Sequence, residues 1–468
     1  MRTPQLVKTA ANNTAIAIRF ATFFMIDSEY KINPFSPNFL QWVDEVYKNH
    51  DNLTFITATK RAEWGDWAIF LSQLHTLTGK IAKKLPEHAL VGCLADMRSL
   101  EQSTSEAVAR WKAEAFPASR LLSLTGGLGV DDWAYAVSGA EVVSLDPNET
   151  LNTWVRYNAQ RLGIAVDRLT QTAEGYLAEL AKNNADLVDA GLGLYDLVYV
   201  DPDRRPQGQR TAMDATEYLP NVFSLIGQYP GLGKSWLVKV SPMVDPTWLQ
   251  RQFGCRADIY AVGLNGETKE LLAHVHPGLP AIEGGWDAFC LVNRVNNDGE
   301  MVLTWHRFGA WADGKRLTES KGLRPLGNAN LDSKSSILEA AFIFEPAAPL
   351  FAAHLHTQIP QRMNLLAATP NHNFFVAQAP EAAAFGRSLR VERTFAGSLR
   401  DIQRQLKAQL PAPKNKKTLP QLNVTARNCG ITTDAVKKIL QVSDGGSKYL
   451  FIAKSDNQFI AWLGEIVR

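Results

Sequence analysis

From Arg120 onward the chain alternates strand-length apolar runs with longer mixed stretches. The runs are LLSLT at 121–125, EVVSLD at 141–146, DRLTQT at 167–172, YDLVYVD at 195–201, SWLVKV at 235–240, DIYAVGL at 258–264 and AFCLVNRV at 288–295. Near-continuous apolar strands separated by helical segments predict an α/β domain with a doubly wound, largely parallel sheet. The preceding part has a different rhythm. Ser36-Pro37 reads as a cap and a first-turn proline, followed by Phe39, Trp42, Val43 and Val46 at helical spacing, and Glu101 to Ala115 repeats an amphipathic pattern. Residues 1–35 are therefore expected to be an extension, 36–118 a helical subdomain, and 119–344 the sheet domain.

In such a sheet, ligands bind beyond the carboxyl ends of the strands. The first run leaves through Thr125, Gly126, Gly127, Leu128 and Gly129, which lets backbone amides approach a ligand. The second run ends in Asp146, 17 residues beyond Gly129, where a carboxylate can accept both hydroxyl hydrogens of a ribose. This spacing suits a dinucleotide or S-adenosylmethionine. The dinucleotide fingerprint is not met, because Gly129 is followed by Val130, Asp131 and Asp132, and an acid beside a pyrophosphate is unfavourable. S-adenosyl-L-methionine, a sulfonium without phosphate, is the expected cofactor.

Composition narrows the class further. With 468 residues, 46% of them hydrophobic, the chain can fill several domains. No apolar run approaches the roughly 18 residues of a membrane span. Four widely spaced cysteines, Cys93, Cys255, Cys290 and Cys429, predict neither a disulfide framework nor a thiolate metal site, and fit the cytoplasm. Residues 1–24 carry Arg2, Lys8 and Arg19 without an acid or a cleavage pattern, and read as a disordered extension or as sequence ahead of a true start at Met25. The net charge of +2 conceals an asymmetry: residues 390–468 hold fourteen Lys or Arg against six Asp or Glu, so a basic end follows an acidic body. That is the electrostatic footprint of a nucleic-acid binder, and also of a merely solvated surface.

The motifs together resemble the bacterial class I S-adenosylmethionine-dependent methyltransferases that carry a C-terminal THUMP-like domain. The resemblance runs from about residue 36 to the end. It rests on Glu101-Gln102-Ser103-Thr104-Ser105-Glu106 with Ala109 and Lys112 behind it, on Leu124 to Asp131, on Asp201-Pro202-Asp203-Arg204-Arg205, on Lys239-Val240-Ser241-Pro242-Met243 with Asp245, and on a late turn from Asn265 to Leu272. Phe344-Glu345-Pro346-Ala347 resembles the start of a small ferredoxin-like module, and Asp444 to Phe451 the THUMP-like end. The resemblance implies a Rossmann-like methyltransferase sheet, a ferredoxin-like module at 345–388 and a basic THUMP-like α+β domain at 389–468. It implies cofactor contacts from Gln102, Ser105, Thr125, Gly126, Gly127, Gly129, Asp131, Asp146, Pro147, Ala173, Glu174 and Asp201. Ser123 stands where the wider class usually has an acid.

For chemistry, Asp201, Pro202, Asp203 and Arg204 resemble the Asp-Pro-Pro-aromatic motif of exocyclic amine methyltransferases, with Asp203 for the second proline and Arg204 for the aromatic. They are the expected catalytic residues, holding an amine's hydrogens while its lone pair faces the methyl. Cysteine-dependent carbon methylation is disfavoured, because Ser241 follows the fifth strand. The expected partner is RNA, tRNA or rRNA, through Arg205, Lys239, Ser241, Lys269, Lys416, Lys417, Arg427, Lys437 and Lys438. No metal is expected: His354, His356 and His372 read as packing or surface residues, and Trp111, Trp133 and Trp154 as core. Two rival readings stand beside the RNA methyltransferase, a non-catalytic RNA-binding protein on the same fold and a small-molecule methyltransferase.

Overall fold

The computed structural model describes residues 37–52, 54–183, 193–203, 215–281, 286–295, 301–309, 337–369, 371–381, 383–410, 419–455 and 458–467. The chain forms two compact units, residues 1–97 and 98–468.

The first unit is helical, with helices Pro37–Lys48, Ala58–Trp64, Ala68–Lys84 and Pro86–Leu90. Phe39, Val43 and Val46 recur at helical spacing and are fully buried, together with Trp64, Leu71, Leu74 and Ile81. Each such side chain contributes about 1.5–3 kcal/mol on leaving water. Thr57 caps the second helix by accepting from the Lys60 amide.

The helix Met97–Gln102 begins at the boundary, and the second unit continues with the helix Glu106–Ala115 and a sheet of nine strands among the described residues. Its strands are β1 Arg120–Ser123, β2 Glu141–Leu145, β3 Asp167–Leu169, β4 Tyr195–Val200, β5 Gly233–Val240, β6 Arg256–Leu264, β7 Glu267–His276, β8 Trp286–Val295 and β9 Met301–Gly309. The order is β3-β2-β1-β4-β5-β7-β6-β8-β9, with β1 to β5 parallel and β7 antiparallel between β5 and β6. The strand order reverses beside β1, so the carboxyl ends of β1 and β4 flank the switch point where such sheets bind ligands. The late turn expected at Asn265 to Leu272 is only Asn265-Gly266. From Glu267 the chain is strand, because Leu271, Leu272, Ala273 and Val275 are all fully buried in the sheet.

Residues 342–467 form a seven-stranded sheet, ordered β11-β12-β10-β13-β16-β15-β14. The strands are β10 Phe342–Pro346, β11 Leu366–Ala367, β12 Phe375–Ala377, β13 Gly386–Gly397, β14 Asn423–Arg427, β15 Tyr449–Ser455 and β16 Gln458–Val467. Alternation along β15 divides two cores: Leu450 and Ile452 pack with Ile402, Leu406, Val436 and Leu440 of the helices Leu399–Lys407 and Thr433–Leu440, whereas Phe451 and Ala453 pack with Phe374 and Trp462. Strand β13 pairs with β10 on one side and β16 on the other, so the expected boundary at 388/389 falls inside a central strand. Leu350, Phe375 and Phe385 of the expected small module share one core with Ala261, Leu271 and Ala288 of the nine-stranded sheet.

Candidate functional site

At the end of β1 the chain is tied to both neighbouring strands. Leu124 N–H donates to Tyr199 O at 2.9 Å, and Gly126 N–H to Leu145 O at 2.7 Å. The Thr125 hydroxyl accepts the Asp201 amide at 2.6 Å, joining the glycine loop to the end of β4. Gly127 (φ +53) and Gly129 (φ +78) occupy the left-handed region that favours glycine. A Cβ at Gly127 would meet nothing within 4 Å, so the loop presents bare backbone to open space, while Gly129 starts the helix Val130–Val137.

Asp146, at the end of β2, faces this loop. Its Oδ2 accepts the Gly127 amide at 3.2 Å and its Oδ1 the Asn148 amide at 2.9 Å. The side chain is 16% exposed, so the carboxylate is fixed and still reachable. Beneath the loop lies Arg168 of β3, with hydrogen bonds to Asn152 Oδ1 (2.7 Å), Ser144 Oγ (2.7 Å) and Gly127 O (2.7 Å), and an ion pair with Asp132 (3.3 Å). Burial pushes the Asp132 carboxyl up, and Arg168 opposes it.

A second buried charge cluster underlies the β4 end. Lys112, wholly buried on the helix Glu106–Ala115, pairs with Asp131 at 2.7 Å and Glu270 at 3.2 Å, and donates to Tyr199 Oη at 3.0 Å and Thr104 Oγ1 at 3.3 Å. Lys239 of β5 pairs tightly with Asp201 and reaches Thr104 Oγ1 at 3.5 Å. Burial would raise Asp131, but Lys112 and Lys239 outweigh it and hold the carboxyl below its ordinary value. At Glu270 burial wins and the carboxyl titrates higher than usual. Burial opposes the charge of Lys239, yet Asp201, Glu270 and Asp131 overrule it and push its pKa above the lysine norm.

No protein-family model matches the sequence, and no curated protein matches it either. Solved structures do. A candidate methyltransferase from Porphyromonas gingivalis W83 is similar with a TM-score of 0.63 at 20% identity, over 92% of this chain and 99% of that one. The likeness shows a shared fold. An O-methyltransferase from Bacillus cereus overlaps 50% of this chain and 98% of its own, at 16% identity and a TM-score of 0.28. A Pyrococcus abyssi tRNA (uracil-54, C5)-methyltransferase overlaps 39% of each chain at 15% identity and a TM-score of 0.26. These two partial overlaps add nothing to the fold assignment.

Within this fold, Thr125, Gly126, Gly127, Gly129, Asp146 and Asp201 come together at the switch point. Ala173 and Glu174 start the helix Ala173–Asn183 after β3, and Pro147 follows Asp146 directly. Gln102 is exposed at the end of its helix, and Ser105 precedes Glu106 with its hydroxyl oxygen buried and without a partner among the described residues. Asp131 lies in the Lys112 cluster. Asp203 forms a backbone bridge with Leu219 and an ion pair with Arg98 at 3.4 Å, and Pro202 is buried.

The expected substrate residues scatter. Lys239 belongs to the buried cluster, Ser241 is buried, and Lys269 pairs with Glu267 at 2.8 Å. Arg427 clamps Glu345 at 2.9 Å, and Lys437 pairs with Asp444 at 2.7 Å, leaving Lys438 exposed. Arg204, Arg205, Lys416 and Lys417 lie outside the described residues. Trp111 and Trp133 are core, as the helical pattern expected. Among the described residues, no group of three or more His, Cys, Asp or Glu can hold a metal ion, and no helix is long and apolar enough to cross a membrane.

Tyr199, Lys112, Glu270 and Arg168 organise the site and were not expected in it. Two signals were available: Lys112 and Glu270 stand in stretches that carry the resemblance, and Lys112 among Val108, Ala109 and Trp111 is a lysine on the apolar face of its helix.

Proposed function

We propose that the chain transfers the methyl group of S-adenosylmethionine to an amine nitrogen of RNA. The observation that carries this reading is the fixed Asp146 carboxylate over a bare glycine loop, joined through Thr125 to Asp201 at the next strand end. The residues fit the cofactor: Asp146 offers acceptors for a ribose, and the Gly127 side of the loop has room for a ligand against its backbone. When bound, S-adenosylmethionine supplies an electrophilic methyl on a sulfonium.

The chain's own part is positioning. Asp201 Oδ2 is held by Lys239, which leaves Oδ1, free of hydrogen bonds from the described residues, to accept a substrate N–H and aim the nitrogen lone pair. The Asp201 side chain is 30% exposed, so the displaced proton has a route to water. Nitrogen is favoured over cysteine-assisted carbon chemistry. Burial pushes the Cys255 and Cys429 thiols up and that of Cys290 to about 12, the opposite of an activated thiolate.

The RNA reading rests on the basic end of the chain. Arg400, Lys407 and Lys438 are exposed on the two helices that cover the second sheet, and no described residue pairs with them. Labelled methyl uptake into bulk tRNA and rRNA tests the reading. Uptake should fall by about 10²-fold or more in Asp201→Asn. It should also become more salt-sensitive and weaker in the triple variant Arg400→Glu/Lys407→Glu/Lys438→Glu. Uptake unaffected by both sets of changes would refute the assignment.

A further inference from the structure

Arg168 uses every nitrogen of its guanidinium inside the protein, with a side chain only 1% exposed. Nε is bonded to Asn152 of the helix Glu149–Leu162, Nη1 to Ser144 of β2 and to Asp132, and Nη2 to the Gly127 carbonyl, with Asp146 Oδ2 at 3.7 Å. A Cβ at Gly126 would overlap this guanidinium, so the glycine loop rests directly on it. Gly127 is thereby held from both sides, by Arg168 at its carbonyl and by Asp146 at its amide. One buried cation from a three-residue edge strand ties together the loop, the end of β2 and two helices.

Packing alone does not explain this arrangement. Burying a charge is costly, and an apolar residue would fill the space at lower cost. What an arginine adds is its rigid fork, which fixes several acceptors in one geometry. Here the acceptors include the Gly127 carbonyl, and the charge lies beside the carboxylate that faces the open side of the loop.

We infer that Arg168 is the positioning residue for ribose recognition: by pinning Gly127, it orients Asp146 so that the carboxylate accepts the ribose hydroxyls of the cofactor. This rests on the S-adenosylmethionine reading and extends it to a residue that touches no ligand. The inference also explains why the loop needs glycine at position 126, where the guanidinium leaves no room for a side chain.

The test compares binding of S-adenosylhomocysteine with that of its 2′-deoxy analogue, by calorimetry on the full chain. Arg168→Met alone would strand the buried Asp132 carboxylate, so the informative variant is Arg168→Met/Asp132→Asn, with its folding checked by circular dichroism and thermal unfolding. Wild type should prefer the ribose ligand by about tenfold, the scale of one hydrogen bond to a charged group. In the double variant the preference should collapse to within about twofold, whereas Arg168→Lys should keep part of it. A merely structural role would weaken both ligands equally and preserve the preference, and that result overturns the inference. A wild type that binds both ligands equally overturns it as well, by removing Asp146 as ribose acceptor. Binding of neither ligand by folded wild type would instead overturn the cofactor reading itself.

Discussion

The two sheets of the larger unit each bury a charged group, but they surround it differently. Under the nine-stranded sheet, Lys112 is 0% exposed, its partners Glu270, Thr104 and Tyr199 are buried, and Asp131 is partly buried. In the seven-stranded sheet Glu345 is just as buried, yet its partners Arg387 and Arg427 are each 41% exposed and rest against Phe451 and Phe351. The first cluster is closed around Lys112 and Glu270, and water reaches its rim, where Asp131, Lys239 and Asp201 are 12%, 14% and 30% exposed. The second has an exit, because two long guanidinium side chains can turn outward and be hydrated. A closed cluster of charge is costly to build and to break, and it lies directly beneath the candidate site, where orientation matters most.

Changing each cluster separates them. Lys112→Met removes the cation that touches both Asp131 and Glu270 and leaves only the more distant Lys239 to offset them, and should cost about 3–5 kcal/mol in urea unfolding. A loss below about 1 kcal/mol would show that water reaches the cluster. Glu345→Gln should cost less, about 1–2 kcal/mol, since both arginines can reach solvent. Equal losses for the two variants would erase the distinction.

A further effect concerns pH. His274 of β7 packs on Phe116, and burial, with His276 and Arg256 adding to it, pushes its pKa down to about 3. The folded state therefore keeps it neutral while the unfolded chain takes up a proton, so this contribution to stability is full above about pH 6.5 and is lost as the pH falls towards 3. Relative to wild type, His274→Phe should gain stability progressively across that window in acid-range thermal unfolding. Parallel stability curves for the two proteins would contradict the assignment.

The alternation of apolar runs made the parallel half of the sheet legible, because a strand buried on both faces writes its length directly into the sequence. Strand β7 was hidden. Its turn residues, Asn265 and Gly266, are marked in the sequence, while its pairing with β5 and β6 is a long-range fact that local pattern does not encode. The same limit applied to the chain's later half, where β13 runs across the expected module boundary. A deletion from residue 389 would therefore tear a central strand, and point substitutions are the sounder probe of the basic end. At the site, Gly126, Gly127, Gly129, Asp146 and Asp201 were readable from their places after apolar runs. Arg168 was not: an arginine in the short run DRL looks solvated, and only the fold reveals that the glycine loop lies on top of it. Lys239 reads as a substrate cation for the same reason, until the fold pairs it with Asp201.

On the proposed function, Asp146 and the glycine loop hold S-adenosylmethionine. Calorimetric titration of the wild type and of Asp146→Ala with S-adenosylmethionine tests it most directly. Wild type should bind in the micromolar range, and the variant should lose about tenfold or more in affinity. Absence of binding by folded wild-type protein, or undiminished binding by Asp146→Ala, would contradict it.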